Sequence, residues 1–221
     1  GRPNGHIAIS QRRFDSMREI EQLIAGFAKF RSRYYEGEDR PFDRLKESQS
    51  PSILVIACSD SRVDPAILLD AEPGQLFVVR NVANLVPPRS ADGGTHGVSA
   101  ALEFAVCVLQ VRHIIILGHS QCGGIRALLE SASGEFITQW MEVAKSARPS
   151  GSLPSDTAAL ECEQRAILLS LDNLLTFPWI DQRVQERRLM LHGWYFDIGA
   201  GRLDGYNPIL KSFEILRHSS G

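Results

Sequence analysis

With 221 residues, 43% of them hydrophobic, the chain is long enough to bury one substantial core, and no Pro/Ser-rich linker divides it in two. Its 24 basic and 26 acidic residues leave a net charge of −2, which favours neither nucleic acid nor an anionic membrane as a partner. No apolar run approaches the roughly 18 residues of a membrane span. Gly1 to Ser10 lacks the apolar centre of a signal peptide, although an upstream targeting segment could have been removed. Four cysteines, at 58, 107, 122 and 162, fit a reducing, cytoplasmic setting better than two disulfides. Cys107 and Cys162 fall in helical patterns, and the other two end strand-like runs.

In chain order, residues 1–12 read as a loose arm. Ser16 with Glu19 suits a capping box at a helix start. Met17, Ile20, Ile24, Phe27, Phe30 and Tyr34 then recur at helical spacing, so 13–47 is expected to be a helical arm whose apolar stripe lies on the body or on a partner subunit. Ile53–Cys58 is a continuous apolar run of strand length. Asp64-Pro65 starts a short helix over Ala66–Asp70, and Leu76–Arg80 is the next strand. Asn84 to Gly94 is a loop. Its Gly93-Gly94 pair has no phosphate-binding frame around it and is read as turn chemistry.

Val98, Leu102, Ala105, Val106 and Leu109 give the following helix a buried face, with Cys107 as small apolar filler. His113–Gly118 is another apolar strand, and Cys122-Gly-Gly opens a helix through Leu129. A helix near 135–147 and a loop at 148–155 lead to a long helix carrying Leu160, Ile167, Leu171 and Leu174. Leu189–Ile198, which alternates less cleanly, is read as an edge strand. Alternating strands and helices with uninterrupted apolar strands predict one α/β domain with a mostly parallel, helix-covered sheet and an antiparallel edge strand.

Sheets of this kind place chemistry beyond the carboxyl ends of their strands. Cys58, His119 and Cys122 would arrive there together: two thiolates and an imidazole, a set suited to Zn²⁺ with one coordination position open. The blander reading makes each a buried filler or a satisfied core residue, and spacing leaves the two balanced. Asp60 and Arg62, likewise, form either a catalytic pair or an ordinary loop ion pair. His6, His96, His113, His192 and His218 have no such companions and are read as structural or surface residues.

Cys58-Ser-Asp-Ser-Arg62, Arg80-Asn-Val-Ala-Asn84 and Gly118-His-Ser-Gln-Cys-Gly-Gly124 resemble, in order and spacing, the signature segments of β-class carbonic anhydrases. The likeness extends from about Met17 to Tyr206. Ser48-Gln49-Ser50-Pro51, Leu85-Val86-Pro87-Pro88 and Leu174-Leu175-Thr176-Phe177-Pro178 are similar to the plant-type branch. The resemblance implies one zinc per chain held by Cys58, His119 and Cys122, and a catalytic dyad of Asp60 and Arg62. It also implies a substrate pocket of Gln49, Phe77, Val82, Phe104 and Gly123, with Gln49 reaching in from the second subunit of a homodimer that can assemble further. Phe104 stands where plant enzymes carry Tyr, so a hydroxyl is missing.

The implied reaction is reversible hydration of carbon dioxide to bicarbonate and a proton by zinc-bound hydroxide. Two thiolates cancel the formal charge of zinc, so bound water needs help from Asp60, kept ionised by the planar fork of Arg62. Two rivals accompany this reading: a hydrolase of carbon disulfide or carbonyl sulfide on the same scaffold, and a scaffold protein with structural zinc closed by Asp60. Some bacterial relatives hold inhibitory bicarbonate beside the Arg80 position with a Trp and a Tyr. Here the matching residues are Val55 and Phe196, which lack those donors, so a zinc site open to water near neutral pH is expected.

Overall fold

The computed structural model describes residues 5–152 and 154–217, with side chains from residue 17 onward. The chain divides into two compact units, Gly1–Gln49 and Ser50–Gly221. The first unit is helix α1 (Gly5–Tyr35) followed by the single turn α2 (Phe42–Leu45). Ser16 therefore lies inside α1 instead of at its start, because residues 6–15 contain neither Gly nor Pro to interrupt the helix. Of the loose arm expected over 1–12, residues 1–4 lie outside the described residues. Tyr35 stacks on Phe42 with ring centroids 4.8 Å apart, and Phe30 meets Phe42 edge-on at 5.5 Å, which turns α2 back onto the end of α1. Met17, Ile20, Leu23, Ile24 and Phe27 are exposed along α1.

The second unit is built on a six-stranded sheet in the order β2-β1-β3-β4-β5-β6. Its strands are β1 (Ile53–Cys58), β2 (Leu76–Asn81), β3 (His113–His119), β4 (Met190–Asp197), β5 (Arg202–Asn207) and β6 (Ser212–Ile215). The first four run parallel, and β5 and β6 are antiparallel additions. The apolar runs form β1 and β3 because both sheet faces there are covered: Leu54, Ile56, Ile114 and Ile116 are fully buried with Leu102, Val106, Ile167, Leu174 and Ile180. Each such side chain contributes about 1.5–3 kcal/mol on burial.

The helices of this unit are α3 (Pro65–Leu68), α4 (Gly97–Glu103), α5 (Gly123–Leu129), α6 (Ile137–Met141), α7 (Ser155–Leu174) and α8 (Pro178–Gln185). Asp64 caps α3 by accepting the N–H groups of Ala66 (3.0 Å) and Ile67 (3.2 Å), with Pro65 at the first helical position. Two readings of the sequence need correction. Met190–Asp197 is an interior strand and not the edge, because Gly199–Gly201 turns the chain into β5. That strand's Asp204 is buried on Arg202 (2.9 and 3.0 Å), a polar composition that conceals a strand. Cys107 is exposed: α4 continues as a π-turn over Phe104–Val108, and the wider turn carries Cys107 and Val108 outward. Past the end of α7 at Leu174, Pro178 opens α8, a further helix before β4.

Helix α7 seats directly on the sheet through two glycines. A Cβ at Gly118 of β3 would lie 2.6 Å from Ile167 Cδ1, and one at Gly193 of β4 would lie 2.9 Å from Ile167 Cγ2. Gly118→Ala is therefore expected to destabilise the fold by about 1–3 kcal/mol in urea denaturation, and Ile167→Val to recover part of that loss in the double variant. Equal stability of wild type and Gly118→Ala would show that the helix can shift at no cost.

Candidate metal centre

Cys58 ends β1 and His119 ends β3, and these strands are parallel neighbours, so both side chains arrive at the carboxyl end of the sheet. Cys122 immediately precedes α5. The ligand atoms of Cys58, His119 and Cys122 lie within 4.8 Å of one another, and all three residues are buried.

The turn carrying Cys122 is held from several sides. Ser120 N–H donates to the Phe196 carbonyl at 2.9 Å, and Ser120 Oγ accepts the Ile198 N–H at 2.8 Å. Gln121 adopts a left-handed φ of 57°, and Cys122 N–H donates to Glu163 Oε1 at 3.0 Å. Burial pushes the Glu163 carboxyl upward against the bonds it accepts from Cys122 and Tyr195.

The donor set fits a metal ion. His119 Nδ1 meets the Ser120 carbonyl at 2.8 Å, so Nδ1 carries the proton and Nε2 presents a lone pair. That Nε2 is buried and has no hydrogen-bond partner among the described residues. The hydrogen bond from Cys122, acting against burial, brings the Cys58 thiol down to about 4. His119 and the N–H groups of Asp60 and Ala83 add to the effect. Cys122 moves the opposite way, because it holds the shared proton and is buried. A bound cation would displace that proton and take both sulfurs as thiolates.

Asp60 stands beside this set, its Oδ2 4.0 Å from His119 Nε2. Arg62 grips the carboxylate with three donors: its backbone N–H (2.9 Å) and Nε (3.0 Å) to Oδ1, and Nη2 (2.7 Å) to Oδ2. The same Nη2 reaches the Gln121 carbonyl at 3.3 Å. This fork holds the Asp60 carboxyl well below the usual carboxylate range.

Arg80, noticed in the sequence only as part of a motif, braces the entire 58–64 loop. Its guanidinium donates to the carbonyls of Cys58 (2.9 Å) and Asp60 (2.6 Å) and to Asp64 Oδ2 (2.9 Å). Ala83, at a left-handed φ of 66°, points its N–H at Cys58 Sγ, 3.4 Å away.

The expected pocket residues are distributed unevenly. Gly123 opens α5 and Val82 lies against it: a Cβ on Gly124 would meet Val82 Cγ1 at 2.6 Å. The Val82 carbonyl accepts Trp140 Nε1–H at 2.8 Å. Phe77 and Phe104 stack on each other with centroids 5.8 Å apart. Phe77, however, pairs with Leu54, four residues before the position paired with Cys58. That is about 13 Å along the strand, so one chain does not bring the two rings to its own Asp60. Gln49 is exposed at the end of the N-terminal unit. A cleft of about 810 Å³ touches the cluster from behind, at Cys122, Glu163 and Tyr195. Two histidines read as unaccompanied, His113 and His192, meet across β3 and β4 at 3.1 Å.

Residues 53–203 match the family model described as carbonic anhydrase. Over 88% of its length the chain is 39% identical to β carbonic anhydrase 5, chloroplastic, of Arabidopsis thaliana, and it spans 66% of that relative. It is 38% identical to a carbonic anhydrase of Pseudomonas aeruginosa, over 88% of this chain and 90% of that one. Among solved structures, the β-carbonic anhydrase CcaA superposes with a TM-score of 0.83 at 33% identity, covering 91% of this chain and 93% of that chain. A tetrameric β-carbonic anhydrase of Sordaria macrospora gives 0.69 at 30% identity, covering 88% and 96%.

The Asp60–Arg62 geometry has a pH signature. The folded state favours ionised Asp60, so the stability this adds is fully present above the unfolded carboxyl pKa of about 3.9 and is lost as pH falls toward the lower folded value. In a carbon-detected NMR titration the native Asp60 carboxyl should remain ionised at about pH 3, and in Arg62→Ala, which keeps only the backbone N–H, it should titrate at higher pH, toward the free value of about 3.9. Identical titrations would mean that Arg62 does not hold the charge.

Proposed function

Because the chain belongs to the β-class carbonic anhydrase family, as its family match and its relatives of 38–39% identity establish, we propose that it catalyses reversible hydration of carbon dioxide to bicarbonate and a proton. The observation that carries this reading is the bare, buried Nε2 of His119 facing two thiols, with an arginine-gripped carboxylate 4.0 Å away. Cys58, His119 and Cys122 would hold one zinc ion per chain, which would supply Lewis-acid activation of water.

The chain's own residues do the rest. Asp60 Oδ2 accepts the proton of a water's O–H in a hydrogen bond, turning a lone pair of that oxygen toward the carbon of CO₂. Arg62 keeps Asp60 ionised and fixes the carboxylate beside the ligand set. A structural zinc closed by Asp60 is disfavoured because such a site has no use for the Arg62 fork that holds this carboxylate. Val82 and the N–H of Gly123 form one wall of the substrate site, where a backbone donor stabilises charge developing on bicarbonate oxygen.

The remaining wall comes from a second copy. Phe77 lies too far along β2 to serve its own chain's site, and Phe104, which stacks on it, is 43% exposed. Across a homodimer these rings, with Gln49, complete an apolar slot suited to a neutral, poorly hydrated substrate. The exposed stripe of α1 supports an arm over 13–47 that packs on the partner, within one functional domain spanning 1–221. The Sordaria relative is described as tetrameric, and assembly beyond the dimer is compatible with this arrangement. Four free thiols suit a reducing, cytoplasmic setting. No helix among the described residues is long and apolar enough to cross a membrane.

Purified protein should carry close to one zinc per chain and hydrate CO₂ in a stopped-flow assay, with simple hyperbolic inhibition by bicarbonate. Cys122→Ser should lose most of both metal and activity. Full zinc occupancy in Cys122→Ser would overturn the ligand assignment, and a zinc-replete but inactive wild type would overturn the reaction. Gln49→Ala should keep its zinc yet slow hydration by about 10- to 1000-fold, the range for losing one oxyanion donor. Unchanged turnover would remove Gln49 from the pocket.

A further inference from the structure

Glu163 sits on α7 with only 4% of its surface exposed, directly behind the turn that carries Cys122. Its two carboxylate oxygens are divided between two donors: Oε1 accepts the N–H of Cys122 at 3.0 Å, and Oε2 accepts the O–H of Tyr195 at 2.7 Å. Among the described residues no lysine or arginine is paired with it. A buried carboxylate without a cation is costly to keep, so its retention calls for a reason. The donor pattern supplies one. A carboxylate accepts through both oxygens and donates nothing, and the site turns donors toward it: the Cys122 N–H, the Tyr195 O–H and, beside them, the Gln121 N–H. Glutamine, with one acceptor oxygen and an NH₂ group in place of the other, satisfies Cys122 and Tyr195 in the same geometry only if the tyrosine reverses its role.

The position of the carboxylate is as constrained as its chemistry. Ile167, one helical turn beyond Glu163, is locked into the notches left by Gly118 and Gly193. Tyr195 is buried on β4, next to the strand that ends in His119. Glu163 thus links the Cys122 amide to the two elements that seat His119, while Arg62 and the Phe196 carbonyl hold the same turn at Gln121 and Ser120. We infer that Glu163, anchored by Tyr195, is a positioning residue that holds the Cys122 sulfur in register with Cys58 and His119 and thereby sets how tightly the chain retains its metal. The inference rests on the zinc reading given above.

The test is the rate at which zinc passes from purified protein to an excess of chromophoric chelator, together with the thiolate-to-cobalt charge-transfer band of cobalt-substituted protein. Glu163→Ala should release zinc about 10–100-fold faster and shift that band, the effect typical of losing a partner one bond removed from a ligand. Glu163→Gln and Tyr195→Phe should fall between it and wild type. Ser170→Ala is the control: Ser170 is equally buried on α7 but accepts the Val86 N–H at 3.1 Å instead, and its loss should leave release within about twofold of wild type. Release at the wild-type rate in Glu163→Ala overturns the inference, as does equal acceleration in Ser170→Ala, which would signal general loosening of the helix. Should Glu163→Ala fail to fold, wild-type release in both Glu163→Gln and Tyr195→Phe overturns it. A wild-type protein that binds no zinc would instead overturn the proposed function.

Discussion

Parallel pairing of β1 with β3 is the constraint from which the candidate centre follows. Because the two strands run the same way in register, Ile56 beside Ile116 and Ala57 beside Leu117, the residues that end them must emerge at one edge of the sheet. Cys58 and His119 have 60 residues between them in the chain yet need no flexible loop to meet. The cost of bringing them together is met by the apolar interior of β1 and β3, which any protein of this size requires anyway. Only Cys122 depends on a turn, and that turn is held at Ser120, Gln121 and Cys122.

The braces share a logic. Near the centre, charged groups and lone pairs are matched to defined partners. Arg62 takes Asp60, Arg80 takes the backbone carbonyls of Cys58 and Asp60 together with Asp64, and Glu163 takes Cys122 and Tyr195. His119 Nε2 is the exception. One unsatisfied buried nitrogen within such a network is the feature that distinguishes a ligand-binding site from a well-packed polar core.

Much of this could be read from the sequence, for identifiable reasons. Strands buried on both faces leave unbroken apolar runs, so β1 and β3 and the residues ending them stood out. Strands that earn their place by pairing alone did not. Segment 202–207, with Asp204 and Gly205 at its centre, resembles a loop until Arg202 is seen to neutralise the aspartate. The π-turn at 104–108 has no compositional mark and reversed the expectation for Cys107. Glu163 did leave a trace: it falls on the stripe of Leu160, Ile167, Leu171 and Leu174, where a carboxylate is out of character. The spacing of Phe77 against Cys58 is a matter of strand register, which a list of motifs does not contain.

The backbone on either side of the ligands has a consequence for sequence divergence. Ala83, Asn84 and Gln121 all adopt left-handed φ values without being glycine. Threonine, valine or isoleucine at any of the three would set a branched Cβ against its own carbonyl. Glycine would relieve the native strain but widen the unfolded ensemble that folding must narrow. Drift at these positions is thus confined to a narrow set of short or unbranched side chains, and the confinement comes from the main chain, with no direct part in the chemistry.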